Sequence, residues 1–312
     1  MSDTATSEAA GPSADITVQL SYLENVQFGG EFVADASGYY KAGGLNVRLL
    51  PDGSNAAVEP VVESGKALVG ITHTTPLGQA VSNGADLKVI GAGYQKNPFC
   101  VISLGSKPIN SPKDLIGKNI GVATANQPLF QAYLKANDID PSRVKVTTVQ
   151  YDPTPLADGQ VDGYVGFYNN EPIILDEQGV KVHTLLMNDS GLPFLEELYV
   201  VKADSLADST KRAQITAFMK AEQLGWAETI KDPASAAQLA VDTYGKDLKL
   251  DLTQQTAEAK AQNELVANTD TAAHGLFWMS DDQIAATVKS LQVGGVTLSP
   301  DVFTNEILSS IS

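Results

Sequence analysis

The residues able to do chemistry gather where alternating apolar runs give way to helical patterns. The first such joint, Tyr22 to Gly30, lies in the stretch Gln19–Val47, which reads Q-L-S-Y-L-E-N-V-Q-F-G-G-E-F-V-A-D-A-S-G-Y-Y-K-A-G-G-L-N-V. It carries Tyr22, Asn25, Gln27 and Phe28, and Glu31 follows directly. A purely structural turn needs none of these groups. Later joints repeat the theme with Asn or Thr close before Pro: His73-Thr74-Thr75-Pro76, Asn126-Gln127-Pro128, Thr154-Pro155, and Phe167-Tyr168-Asn169-Asn170-Glu171-Pro172. Helix starts offer free N–H groups and a partial positive charge, so several aimed into one cleft suit a polar or anionic ligand. Aromatic faces suit a flat ring, and Tyr22, Phe28, Tyr94, Phe99, Phe167 and Tyr168 sit at or beside the joints. Any one joint is explained by helix capping alone; the set is what points to a binding cleft. His73 can hydrogen-bond a ligand or simply cap its helix.

Catalytic templates do not fit. Gly91-Ala92-Gly93 follows a strand-like run, but a dinucleotide fingerprint needs a third glycine where Lys96 stands. His73, His183 and His274 are scattered without ligand spacing, so no metal is expected. Glu24, Asp52, Asp152 and Glu171 are candidate carboxylates, and nothing in the sequence pairs them. Cys100 is the only cysteine; within the apolar run Phe99–Leu104 it reads as a small buried hydrophobe. No enzyme and no cofactor are expected.

The elements that must position these residues alternate. Strand patterns cover Ile16–Leu20, Leu45–Leu50, Ala67–Ile71, Leu87–Ala92, Phe99–Leu104, Asn119–Ala123, Val144–Val149, Gly163–Phe167, Val182–Leu186 and Leu198–Val201. A helix is read from Val26 to Ser37, and Ser54-Asn55 would cap another through Glu63. After the last strand only helices are read: Thr210–Lys231, Ala234–Tyr244, Thr253–Val266, Asp281–Gly294 and Pro300–Ile311. The fold class is α/β, with two lobes and a cleft between them. Residues 1–15 form a disordered tail, 16–104 with 201–312 the first lobe, and 105–200 the second. The crossings near Ser103–Ser106 and Leu198–Lys202 would form a two-stranded hinge.

Length and charge agree with this outline. A chain of 312 residues is comfortable for two domains. Its 21 Lys and Arg against 37 Asp and Glu give −16, which repels nucleic acid. No apolar run reaches the ~20 residues that span a bilayer. The small, polar, acidic start Met1–Ala14 suits a tether.

Taken in order, the motifs resemble a known family. N-V-Q-F…F-V-A…G-Y-Y…G-L-N-V (Asn25–Val47), V-E-S-G-K-A-L-V-G-I (Val62–Ile71), S-P-K-D-L-I-G-K-N-I-G-V (Ser111–Val122), L-A-D-G-Q-V-D-G-Y (Leu156–Tyr164), N-E-P-I-I-L…Q-G-V (Asn170–Val180) and G-L-F-W…L-Q-V-G-G-V (Gly275–Val296) are similar to periplasmic solute-binding proteins of ABC importers. That group takes nitrate, alkanesulfonates and taurine, thiamine-precursor pyrimidines, or riboflavin. The resemblance implies a type II periplasmic binding protein fold. It also implies secretion to the periplasm or cell exterior, a lipid anchor on the precursor, a membrane permease as partner, and a monomer. N-V-Q-F and the N-E-P joint are more similar to the pyrimidine and flavin binders. On that basis a ring would lie among Tyr22, Phe28, Tyr94 and Tyr168, with Asn25, Gln27, Asn169 and Glu171 on its polar edge. A carboxylate there favours an amino-substituted heterocycle over an anion. Sulfonate or nitrate binding is the alternative, and a pyrimidine-precursor enzyme of the same fold is another. Gly29-Gly30-Glu31 departs from the family's usual Ala-Pro, and Glu31 would then alter what the cleft accepts.

Overall fold

The computed structural model describes residues 13–51 and 57–311. Most of the expected tail, the expected Ser54-Asn55 cap and Asp52 lie outside the described residues. Ten strands form two sheets: β1 (Ala14–Gln19), β2 (Leu45–Leu50), β3 (Val69–Thr72), β4 (Leu87–Tyr94), β5 (Phe99–Leu104), β6 (Asn119–Ala123), β7 (Lys145–Val149), β8 (Gly163–Phe167), β9 (Val182–Leu186) and β10 (Glu196–Lys202). The orders are β2-β1-β3-β10-β4 and β7-β6-β8-β5-β9. Each sheet has parallel pairs at one side and one antiparallel strand inserted fourth: β10 in the first, β5 in the second.

This corrects the expected boundaries and the expected hinge. Phe99–Leu104 belongs to the second sheet and residues 196–202 to the first, so each crossing falls one strand earlier than read. The connectors are residues 95–98 and 187–195, not Ser103–Ser106 and Leu198–Lys202. Apolar alternation identifies a strand but does not name its partner; both inserted strands are buried along nearly their whole length, as central strands must be. The first strand starts at Ala14, inside the span assigned to the tail.

The C-terminal segments pack on the first sheet. Phe218, Trp226, Leu265, Ile307 and Leu308 share a core with Val18, Phe32 and Tyr199, while Phe130, Tyr133 and Val165 centre a separate core on the second sheet. Two helix readings change. Val26–Phe28 is a tight 3-10 turn before the α-helix Gly29–Ala36. Pro300–Ile311 is not one helix but two short turns, because Phe303 pairs with Val89 and Thr304 N donates to Val89 O at 2.9 Å. Among the described residues no helix is long and apolar enough to cross a membrane.

Candidate binding cleft

The joints after β1, β3 and β8 meet at the carboxyl ends of their strands, where open α/β sheets place ligands. The helix Leu252–Val266 closes the group from the side. Its Gln255 Oε1 accepts from Val26 N at 2.8 Å, and its Gln262 Nε2 donates to Val26 O at 3.0 Å. Tyr94 donates to Gln262 Oε1 at 3.1 Å, and Asn169 Nδ2 reaches the Tyr94 hydroxyl at 3.5 Å. That last contact spans the two sheets, as does Tyr168 OH to Glu264 Oε2 at 3.4 Å. Phe167 packs edge-on against Phe99 at 4.5 Å and His73 at 6.1 Å. The two walls therefore touch at these points. Two open cavities, of about 570 and 400 Å³, lie elsewhere: one beside Pro128–Pro141 and Val293, the other beside Val62–Leu68 and Lys202.

Carboxylates dominate the electrostatics. His73 Nδ1 lies 2.9 Å from Glu196 Oε1 and 3.4 Å from Glu197 Oε1. Burial works against charge on the imidazole, but Glu197 and Glu196 outweigh it and lift its pKa to about 9. Burial lifts Glu197 to about 7 against the pull of His73. Glu197 holds the joint after β1 by accepting from Gln27 Nε2 at 2.7 Å and from Ser21 Oγ at 3.2 Å. It does so with a φ of 51°, a region that non-glycine residues rarely occupy and that costs on the order of 1 kcal/mol or more. Glu171 is buried and its pKa is raised to about 7 by that burial. Its Oε2 accepts from Phe167 N at 2.7 Å. Gly166 makes room for it: a Cβ there would sit 2.6 Å from Glu171 Oε2. Burial likewise lifts Glu258 to about 7, beside amide donors from Gln254 and Gln255. Asn169 is 5% exposed, and its buried Oδ1 has no partner among the described residues.

The expected site residues divide. Tyr22, Gln27, His73, Thr74, Tyr94, Phe167, Tyr168, Asn169 and Glu171 come together. Thr74 does so through its backbone N–H, which donates to Glu196 Oε2 at 2.9 Å. Asn25 serves as a cap, accepting from Gln27 N at 3.1 Å. Phe28 is core. Thr75 is half-buried in the first turn of its helix. Asn126, also half-buried, makes no side-chain cap bond and joins none of the groups above. Glu31 is the clear correction: it points into the first core, where it accepts from Tyr199 OH at 2.7 Å. Gly29-Gly30 do not make room for a ring; a Cβ on Gly30 would lie 2.1 Å from Trp226 Cδ1, so glycine lets the helix Ser209–Lys231 approach. Sequence reasoning missed Glu196, Glu197, Gln255, Glu258 and Gln262. The last three recur at i, i+3 and i+7 on a buried helix face, and the first two are paired acids opening an apolar strand. Both signals were visible in the sequence.

Among the described residues no cluster of His, Cys, Asp and Glu could hold a metal ion. Cys100 is buried with its thiol pushed well up by burial.

Comparison with known proteins now adds identity. The riboflavin-binding protein RibY of Chloroflexus aurantiacus is 26% identical, with 98% of this chain and 92% of that protein covered. A 4-amino-5-hydroxymethyl-2-methylpyrimidine phosphate synthase of Legionella pneumophila is 23% identical, with 72% of each covered. The fold is similar to that of the periplasmic aliphatic sulphonate binding protein SsuA from Escherichia coli, with a TM-score of 0.68 at 14% identity, covering 93% of this chain and 96% of that one. The α/β architecture is therefore that of the periplasmic binding proteins. The family model described as NMT1/THI5 like matches residues 25–236, and on a match that runs from Asn25 through both sheets, this chain belongs to that family.

Proposed function

We propose that the chain is the extracytoplasmic solute receptor of an ABC importer, closing its two lobes on a flat heterocycle that donates N–H groups, of the flavin or thiamine-pyrimidine kind. One observation carries the choice of ligand. The N–H groups that would hold an anion at the joints are already occupied: Val26 by Gln255, Gln27 by Asn25, Thr74 by Glu196 and Phe167 by Glu171. The group left over is an acceptor, Asn169 Oδ1, which lies beside the buried Glu171 carboxylate. Acceptors and carboxylates repel a sulfonate or nitrate and match a ring bearing amino or imino hydrogens.

The names of two similar proteins point the same way, riboflavin binding in one and a pyrimidine phosphate in the other. The sulphonate-binding structure supports the shared fold. Binding without turnover fits a site in which His73 and Glu197 are tied to each other and to the protein. A lipid-anchored precursor, a membrane permease as partner and a monomeric state complete the reading. A thermal-shift panel of riboflavin, 4-amino-5-hydroxymethyl-2-methylpyrimidine, taurine and nitrate tests it. The heterocycles raise Tm and the anions leave it unchanged; stabilisation by the anions alone overturns the proposal, and turnover of a heterocycle overturns its non-enzymatic part.

A further inference from the structure

One short segment is fastened to both lobes at once. The connector 187–195 begins on the second lobe. Asn137 Nδ2 donates to Ser190 O at 2.9 Å, and the Tyr133 hydroxyl lies 2.7 Å from Ser190 Oγ. Leu192 and Phe194 bury their side chains in the second sheet's core with Phe130 and Tyr133, Phe194 at 5% exposed. Leu195 buries its own against the first sheet, with Leu77, Leu198 and Leu291. The helix Asp281–Val293 shares that core through Leu291, and it grips the connector on both sides of Phe194. Ser290 donates its hydroxyl to Pro193 O at 2.6 Å, and Thr287 Oγ1 accepts from Leu195 N at 3.0 Å. Both of these helix side chains are buried. One turn earlier, Gln283 Nε2 donates to Gln95 O of the other connector at 3.0 Å. Gln283, Thr287 and Ser290 recur at i, i+4 and i+7, which is one face of a helix. Phe194 thus has its ring in one lobe and both of its flanking peptides bonded to the other.

We propose that Phe194 is the pivot of lobe movement, its ring seated in the second lobe and its backbone mounted on the Gln283–Thr287–Ser290 face of the first-lobe helix. The inference rests on the two-lobe closure reading above and deepens it by naming where the chain turns. A close-packed ring leaves its seat only at the cost of a cavity, and the two hydrogen bonds hold the peptides still. Motion between the lobes then falls on the side-chain torsions of Phe194 and on the backbone at Leu192-Pro193. The other connector supplies the second turning point. Gln95 is tied to the first lobe by Gln283 and by its N–H to Leu265 O at 2.7 Å, and three residues on Pro98 O accepts from Tyr168 N of the second lobe at 2.9 Å. Asn97 Nδ2 donates to Leu192 O at 2.8 Å and keeps the two connectors together. These are positioning residues, which set the lobe angle and touch no ligand.

The test uses the unliganded protein, so failure of every heterocycle to bind would leave its result untouched. Spin labels on Lys246→Cys and Asp158→Cys, exposed positions on the first and second lobes, report the inter-lobe distance by pulsed electron resonance; Cys100 is buried and stays unlabelled. Ser290→Ala combined with Thr287→Val widens the distance distribution by about 1.5-fold, the square-root growth of a chain's spread as one mobile residue becomes two or three. Phe194→Ala widens it similarly, while Phe194→Leu still fills the seat and stays near wild type. A purely structural role lowers Tm in these variants and leaves the distribution unchanged, and that result overturns the proposal. A distribution as wide in Phe194→Leu as in Phe194→Ala also overturns it, since filling the seat would then not matter. Should Phe194→Ala not fold, the Ser290→Ala, Thr287→Val pair decides alone.

Discussion

The Glu171 carboxylate is buried, and burial raises its pKa to about 7, so its charge as a ligand acceptor is switchable. A ligand N–H needs the ionised form as acceptor. Affinity for a heterocycle is therefore full above about pH 7 and falls as Glu171 takes up a proton below it, by about tenfold per pH unit at the limit. Glu171→Gln weakens binding roughly 10–100-fold, the scale of a charge-assisted hydrogen bond, and flattens that pH dependence. Calorimetric Kd values from pH 5.5 to 8.5 check both. A second acid pair acts on stability. Glu31 and Glu222 lie in the first core, joined through Tyr199 OH at 2.7 and 3.4 Å, with Tyr40 also donating to Glu222. Glu31 Oε2 has no partner among the described residues, and burial raises both pKa values, Glu222 furthest. Folded pKa values above the unfolded ones favour folding at low pH, and that stability is lost as pH rises through the folded values. Glu222→Gln accordingly makes Tm less sensitive to alkali than wild type in a scan from pH 6 to 10. Asn169 and Glu171 were legible because a joint keeps its polar residues adjacent in sequence. Glu31 looked like their equal, and only the packing of Tyr199 against its helix reveals that it faces inward.

Among the elements, the close approach of two helices decides the most. The helix Gly29–Ala36 lies so near Ser209–Lys231 that a Cβ on Gly225 would meet Gly30 O at 2.2 Å. Gly30→Ala drives a methyl into Trp226 and destabilises by about 1–3 kcal/mol despite alanine's better helix propensity. A lowered Tm with unchanged ligand Kd is the expected pair of readings, since the site lies on the other side of the helix start. The ten strands were legible because alternation and Gly or Pro stops are local. Their sheet membership was not: β5 and β10 look like their neighbours in sequence, and what places them is pairing with strands far along the chain, as in Val101 with Val165 or Leu198 with Thr72. The segment Pro300–Ile311 failed for the same kind of reason, since its backbone pairs with β4 instead of coiling. The amides of Leu252–Val266 were readable as a polar stripe, but their target, the backbone of Val26, is a tertiary fact.

For the whole molecule, one sheet is built from the continuous run β5–β9, the chain returns with β10 to complete the other, and their joints face one another. The walls meet through Tyr94 with Asn169 and Tyr168 with Glu264, contacts of 3.5 and 3.4 Å, and through Phe167 against His73. On the proposed function, a ring entering between them replaces those contacts with its own, which makes ligand binding and lobe closure one equilibrium. The chain's net charge of −16 disfavours anionic ligands in general. A crystal structure of the protein grown with riboflavin tests this most directly. The account predicts the ring between the two sheets, its edge within hydrogen-bond distance of the Glu171 carboxylate and Asn169 Oδ1. A ring bound elsewhere on the molecule, or an anion in the cleft held by the N–H groups of Val26 and Thr74, would contradict it.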